Sequence, residues 1–193
     1  MNPMMFPRML TSRGEGWDWL KRIHPSVARL YVFYVIPMSL IPPAMLLYAW
    51  RTYGGPPLPE ITLGEAQFLA TVFFVAELVM VPIMGRVLQM IGQVADASPS
   101  YQNAFTLAAV VPTPLWVAPL ALFVPSLAFN ILIMLLALAC SAVLIFQGVD
   151  RTYDLHDEGG HSLLLGGSVL AAGLVAWVIM LVLAFVTWGR VLT

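Results

Sequence analysis

The sequence predicts an all-α membrane protein of five transmembrane helices, and three observations carry that expectation. Hydrophobic residues make up 60% of the 193 and charged residues only 10%, with a mean hydropathy of +0.87. Soluble domains carry about 25% charged residues, so an aqueous fold would have too few charges to cover its surface. The apolar residues also fall into five runs, each long enough at about 1.5 Å per residue to cross roughly 30 Å of hydrocarbon. Finally, many of the 15 prolines and 14 glycines sit inside those runs, where membrane helices tolerate them better than soluble ones do. A net charge of −1 provides no basic field for nucleic acid, and no nucleic-acid partner is expected. The single cysteine, Cys140, lies in an apolar run and reads as a small packing residue.

Residues 1–27 read as a cytoplasmic segment, with Arg8, Arg13, Lys21 and Arg22 but no apolar stretch of signal-peptide length. Within it, Trp17, Leu20 and Ile23 recur at helical spacing with Asp18, Lys21 and Arg22 between them. That pattern predicts a short interfacial amphipathic helix resting Trp17 and Leu20 among lipid headgroups. The first span is expected at 28–50, with Tyr31, Phe33 and Tyr34 at one end and Tyr48, Trp50 and Tyr53 at the other, as in an aromatic belt. Pro37, Pro42 and Pro43 remove backbone donors inside it, so it should be kinked, with the freed carbonyls facing protein.

After the turn-forming GGPPLP stretch, Thr62 and Glu65 have capping-box spacing and open the second span, 66–93. This span holds Glu77 near its middle, Pro82 as a second source of kinking, and Arg86 near its far end. The third span, 104–124, has Pro112, Pro114 and Pro119 around Trp116, so its middle cannot be a regular α-helix. A tight turn at Pro125-Ser126 leads into the fourth span, 127–147, whose polar members are Asn130, Ser141 and Gln147. The most charged loop follows at 148–161. Ser162 can then cap the fifth span, 163–188, before a short tail at 189–193. In the fifth span Gly167 and Ala171, and likewise Ser168, Ala172 and Ala176, lie four apart. They predict a face on which another helix packs closely.

Basic residues orient the chain. With the amino terminus inside, Arg8, Arg13, Lys21, Arg22, Arg29, Arg86 and Arg151 are cytoplasmic, and only Arg51 and Arg190 lie opposite. The expected topology is amino terminus in, carboxyl terminus out.

Three groups of polar residues are candidates for chemistry. An intramembrane acid costs at least a few kcal/mol and points to function by default, which singles out Glu77. It does not pair with Arg86: nine residues apart on a helix, the two face opposite ways and sit about 13 Å apart along the axis. Arg86 instead shares a face with Gln89 and Gln93 and can snorkel to the cytoplasmic surface. Asn130 is the third intramembrane polar candidate. The loop residues Asp154, His156, Asp157, Glu158 and His161 are all capable metal ligands. They lack zinc or calcium spacing, so a solvated acidic loop is expected, with no metal or other cofactor. No nucleophile with its base and no phosphate or dinucleotide loop is recognisable, so no enzymatic activity is expected.

At Met84-Gly85-Arg86 in span two, and at Thr113-Pro114-Leu115-Trp116-Val117-Ala118 followed by LALFVP in span three, the chain resembles the Ypt-interacting protein (YIP) family, the short bacterial members above all. Gly148 at the start of the fourth loop and the order of the spans extend the resemblance over residues 28 to 188. The family commonly has a proline soon after that glycine, where this chain has Asp150-Arg151. The resemblance implies a five-helix bundle with a cytoplasmic amino terminus, and marks Gly85, Arg86, Pro114 and Trp116 as motif residues. Eukaryotic members are linked to vesicle traffic and Rab-type small GTPases. GTPase binding is not carried over, because the long amino-terminal region of those members has no counterpart here.

The expectation is therefore a non-enzymatic protein of the bacterial inner membrane, packing with itself or with other membrane proteins. The alternative is a small proton- or cation-coupled transporter, or an oligomeric channel, using Glu77.

Overall fold

The structure is a computed structural model that describes residues 15–53, 62–95, 97, 99–153 and 160–191. Among these, every regular element is helical, and five segments are long and apolar enough to span a bilayer: Val27–Tyr53, Leu63–Val94, Tyr101–Phe123, Leu127–Thr152 and Ser162–Gly189. The helices differ from the expected spans by a few residues at their ends; the fourth continues to Thr152 instead of ending at 147, and the third begins at Tyr101 and ends at Phe123.

The first helix, α1 (Glu15–Ile23), forms where the amphipathic pattern predicts it, but its apolar residues Trp17 and Leu20 pack on the protein instead of resting among headgroups. Trp17 and Leu20 are 3% and 4% exposed, buried in the protein core. The reason lies on another helix. Gly148 of span four has no side chain, and a Cβ there would come within 2.7 Å of the Trp17 ring. The indole fills that space, and Asp18 beside it accepts from Arg151 at 2.8 Å. His24 ends the helix with a positive φ of 42°, and Gln102 of span three donates to the His24 and Pro25 carbonyls at 3.0 and 2.9 Å.

Span one is built from α2 (Val27–Leu30), a π-helical turn (Tyr31–Val35), α3 (Ile36–Ser39) and α4 (Ile41–Tyr53). Pro37 offers no N–H to the Phe33 carbonyl. Just before it the ladder widens, so that the Ile36 N–H reaches the Tyr31 carbonyl five residues back. Span two is one helix, α5 (Leu63–Val94), opened by the expected capping box: Thr62 Oγ1 accepts from the Glu65 N–H, and Glu65 Oε2 accepts from the Thr62 N–H at 2.7 Å. The helix continues through Pro82. Proline at 82 leaves the Leu78 carbonyl without its intrahelical donor, and the Tyr31 hydroxyl of span one donates to it at 3.0 Å. Tyr31→Phe should therefore leave that carbonyl bare and lower stability by about 1–2 kcal/mol. A denaturant titration in detergent micelles reads this directly, and an unchanged midpoint would show that the bond contributes nothing net.

Span three comprises α6 (Tyr101–Val110), α7 (Thr113–Val117) and a 3-10 segment (Ala118–Phe123), with a turn at Val111-Pro112. Span four is α8 (Leu127–Thr152) and span five α9 (Gly160–Val191). Ser162 does not cap span five, because the helix begins two residues earlier. Its hydroxyl donates instead to Asp150 Oδ1 at the end of span four.

Spans two and three form the centre of the bundle. Span two touches spans one, three and five, and span three touches one, two and four. The tightest packing lies at the end that carries α1, where Leu30, Val35, Leu88, Phe105, Leu107, Val110 and Val149 are fully buried. The outward sides of spans four and five are lined with exposed Leu, Ile, Val and Phe, as a lipid-facing surface requires.

Candidate functional site

Glu77 is 9% exposed and lies where three spans meet. The Trp116 indole N–H of span three donates to its carboxyl, while Oε2 is buried without a hydrogen-bond partner among the described residues. Tyr34 of span one packs edge-on against Trp116, ring centroids 6.3 Å apart. The Tyr34 hydroxyl lies 2.5 Å from Thr113 Oγ1, which in turn donates to the Val110 carbonyl at 2.5 Å.

Local chemistry explains that arrangement. Pro114 cannot donate to Val110, four residues back, so a carbonyl is freed inside the membrane. The hydroxyl of the adjacent Thr113 satisfies it, and Tyr34 satisfies Thr113 in turn. Six residues on from Val110, Trp116 keeps its own N–H on the Pro112 carbonyl at 3.0 Å, which fixes the backbone that aims the indole at Glu77. A carboxyl withdrawn from water needs its oxygens satisfied. Here one donor meets it and one oxygen stays bare.

The Met84-Gly85-Arg86 stretch has a separate role. A Cβ on Gly85 would approach the Phe105 Cα to 3.2 Å, so glycine lets span two lie directly against the span-three backbone. The Arg86 guanidinium stacks 4.4 Å above the Tyr101 ring and donates to Gln89 Oε1 at 2.9 Å. Glu77 and Arg86 thus have different partners, as helical phase and rise require.

The remaining candidates do not join this cluster. The Asn130 amide donates to the Val124 and Ser126 carbonyls at 3.1 and 2.8 Å, closing the hairpin between spans three and four. Asp154, His156, Asp157 and Glu158 lie outside the described residues, as does the His161 side chain. The small residues of span five divide between two faces. Ala176 is buried and Ala172 half-buried, whereas Gly167, Ser168 and Ala171 are exposed, and nothing lies within 4 Å of a Cβ built on Gly167. The glycine that packs inside the protein is Gly166, where a Cβ would meet Phe146 at 2.6 Å.

Sequence reasoning missed Gly166, Tyr31 and Tyr34. For Gly166 a signal existed: residues 166, 169, 173, 176 and 180 alternate by three and four, the spacing of a helix-packing seam. For the tyrosines, the prolines at 82 and 114 point to the freed carbonyls of Leu78 and Val110, but nothing local identifies the donors.

Comparison with known proteins agrees with this architecture. The family model described as the Yip1 domain matches residues 8–188. The inner membrane protein YohC of Escherichia coli, in strain K12 and in an O6:H1 strain, is 24% identical over 175 residues, spanning 88% of this chain and 88% of each relative. No solved structure matches the chain. The matched region takes in the Glu77 and Trp116 junction, the glycine contact at Gly85 and all five spans, and the chain is an integral membrane protein of the Yip1 family.

Proposed function

We propose that this protein is a non-enzymatic scaffold or accessory subunit of the bacterial inner membrane, with its amino terminus in the cytoplasm, acting through helix packing with membrane partners. The observation that carries this reading is the outward stripe of Gly167, Ser168 and Ala171 on span five. The neighbouring exposed positions are large, including Leu163, Leu164, Leu174 and Val175. A stripe of small residues among them lets a second helix approach closely, which is how membrane helices associate. The name of the YohC relative supports the compartment, and the distribution of basic residues supports the orientation.

Ala171→Leu tests this reading cleanly, because Ala171 is exposed and its enlargement leaves the bundle interior untouched. The substitution should abolish an assembly recovered in mild detergent and identified by mass spectrometry. An assembly that survives it, or none from the wild type, sinks the idea.

A second reading rests on the bare Oε2 of Glu77: a small proton- or cation-coupled transporter or oligomeric channel in which that oxygen takes the cation. Glu77→Gln should then abolish a proton- or cation-dependent flux in proteoliposomes. Equal flux in both proteins, or none in the wild type, counts against it.

A further inference from the structure

A metal ion gives up its water only where several oxygens replace it. Glu77 supplies one bare oxygen, Oε2. Its hydrogen-bond partner is a donor, the Trp116 indole N–H, whose positive hydrogen opposes a cation. Two proline-freed carbonyls lie on the same segments, and each is already capped by a hydroxyl: Leu78 by Tyr31 at 3.0 Å, and Val110 by Thr113 at 2.5 Å. Thr113 Oγ1 lies 2.5 Å from the Tyr34 hydroxyl, so those two oxygens are committed to each other.

A proton needs one oxygen only. It also removes the charge, and a carboxylate withdrawn from water with a single donor is costly. No basic side chain offsets that cost among the described residues. On span one the ionisable groups at this level are the phenols of Tyr31 and Tyr34. Span three offers Tyr101, whose ring lies under Arg86, and Arg86 itself is taken up there and at Gln89. Span five, the third neighbour of span two, has no ionisable residue from Leu163 to Gly189.

We propose that the Glu77 junction binds a proton and excludes metal cations, holding the proton on Oε2 of a neutral acid whose other oxygen accepts from Trp116. This inference rests on the second reading above, in which Oε2 takes a cation, and it names that cation. Binding forms an O–H bond between Oε2 and a proton delivered by water. Release returns the proton to water and leaves the electron pair on a carboxylate that has one donor. The packed junction presents no second donor among the described residues, so release goes with water reaching Oε2.

Infrared difference spectroscopy of the full chain in liposomes tests this, as wild type minus Glu77→Gln. The difference should show one carboxylic acid C=O band at neutral pH, shifting within minutes of transfer into D2O. Sodium, potassium or magnesium should leave the band in place. Trp116→Phe leaves the carboxyl itself untouched and should move the band to higher frequency, because the C=O loses its donor. A carboxylate band in its place overturns the proposal, as does an acid band that any of the three metals removes. A band that resists D2O for hours also overturns it, since a sealed acid exchanges nothing. Proton-dependent flux in proteoliposomes is read separately. An exchanging acid band without flux upholds the proton assignment and removes the transporter reading, whereas flux with a metal-displaced band does the reverse.

Discussion

Replacing Trp116 by alanine should lower the unfolding free energy by about 3–5 kcal/mol, the range for truncating a large core aromatic. Trp116 is 3% exposed, packs edge-on with Tyr34 and donates to Glu77, so the change removes packing and the carboxyl's donor together. Trp116→Phe separates the two effects. It keeps an aromatic ring against Tyr34 but leaves Glu77 without the indole N–H, and should cost about 1–3 kcal/mol. A denaturant titration in micelles measures both variants. Combining Trp116→Phe with Glu77→Leu closes the cycle: if the bond matters, the double variant should be less destabilised than the sum of the two single changes by more than about 0.5 kcal/mol. Strict additivity would mean that the carboxyl and indole are neighbours without energetic coupling.

How much of this was legible beforehand depends on the range of each interaction. The five spans were legible because a bilayer demands a long apolar run wherever the chain crosses, and each run reports on itself. The Thr62 and Glu65 capping box was legible for the same reason, since both partners lie within one turn. The interruption of span three followed from Pro112 and Pro114, whose missing donors act on their own helix.

Long-range partners were not legible. The amphipathic pattern of α1 requires Trp17 and Leu20 to leave water, and a lipid interface and a protein groove satisfy it equally. Only Gly148, on a distant span, decides for the groove. Glu77 likewise announces that it needs a donor without saying which of several spans supplies it, and the choice of Trp116 depends on how spans two and three meet at Gly85. In span five two sets of small residues compete. The set four apart marks Gly167 and Ala171, whereas the seam through Gly166 and Ala176 is the one that packs inside the protein.

The groove that holds α1 yields the other large expected effect. A side chain at 148 would begin 2.4 Å from Leu107 Cδ1 and 2.7 Å from the Trp17 ring. Leu107 is fully buried and cannot swing outward, so Gly148→Leu must displace Trp17. Overpacking of this kind costs about 1–3 kcal/mol. Here the strain has a specific outlet, because α1 is held by the indole, Leu20, the corner bonds from Gln102 and one ion pair. That ion pair, Asp18 with Arg151, is nearly half-exposed at both ends and contributes no more than about 1 kcal/mol. It cannot hold the helix once Trp17 is expelled. The five spans should stay assembled while α1 detaches, so trypsin should cut after Arg22 about tenfold faster in Gly148→Leu than in wild type, with the transmembrane fragment still intact. Asp18→Asn, which removes the ion pair but leaves the groove empty for the indole, should change that cleavage rate by no more than about twofold. Equal rates in Gly148→Leu and wild type would mean that α1 is held by contacts other than the Trp17 groove. A faster rate in Asp18→Asn than in Gly148→Leu would place the main restraint in the ion pair and reverse the order of the two energies.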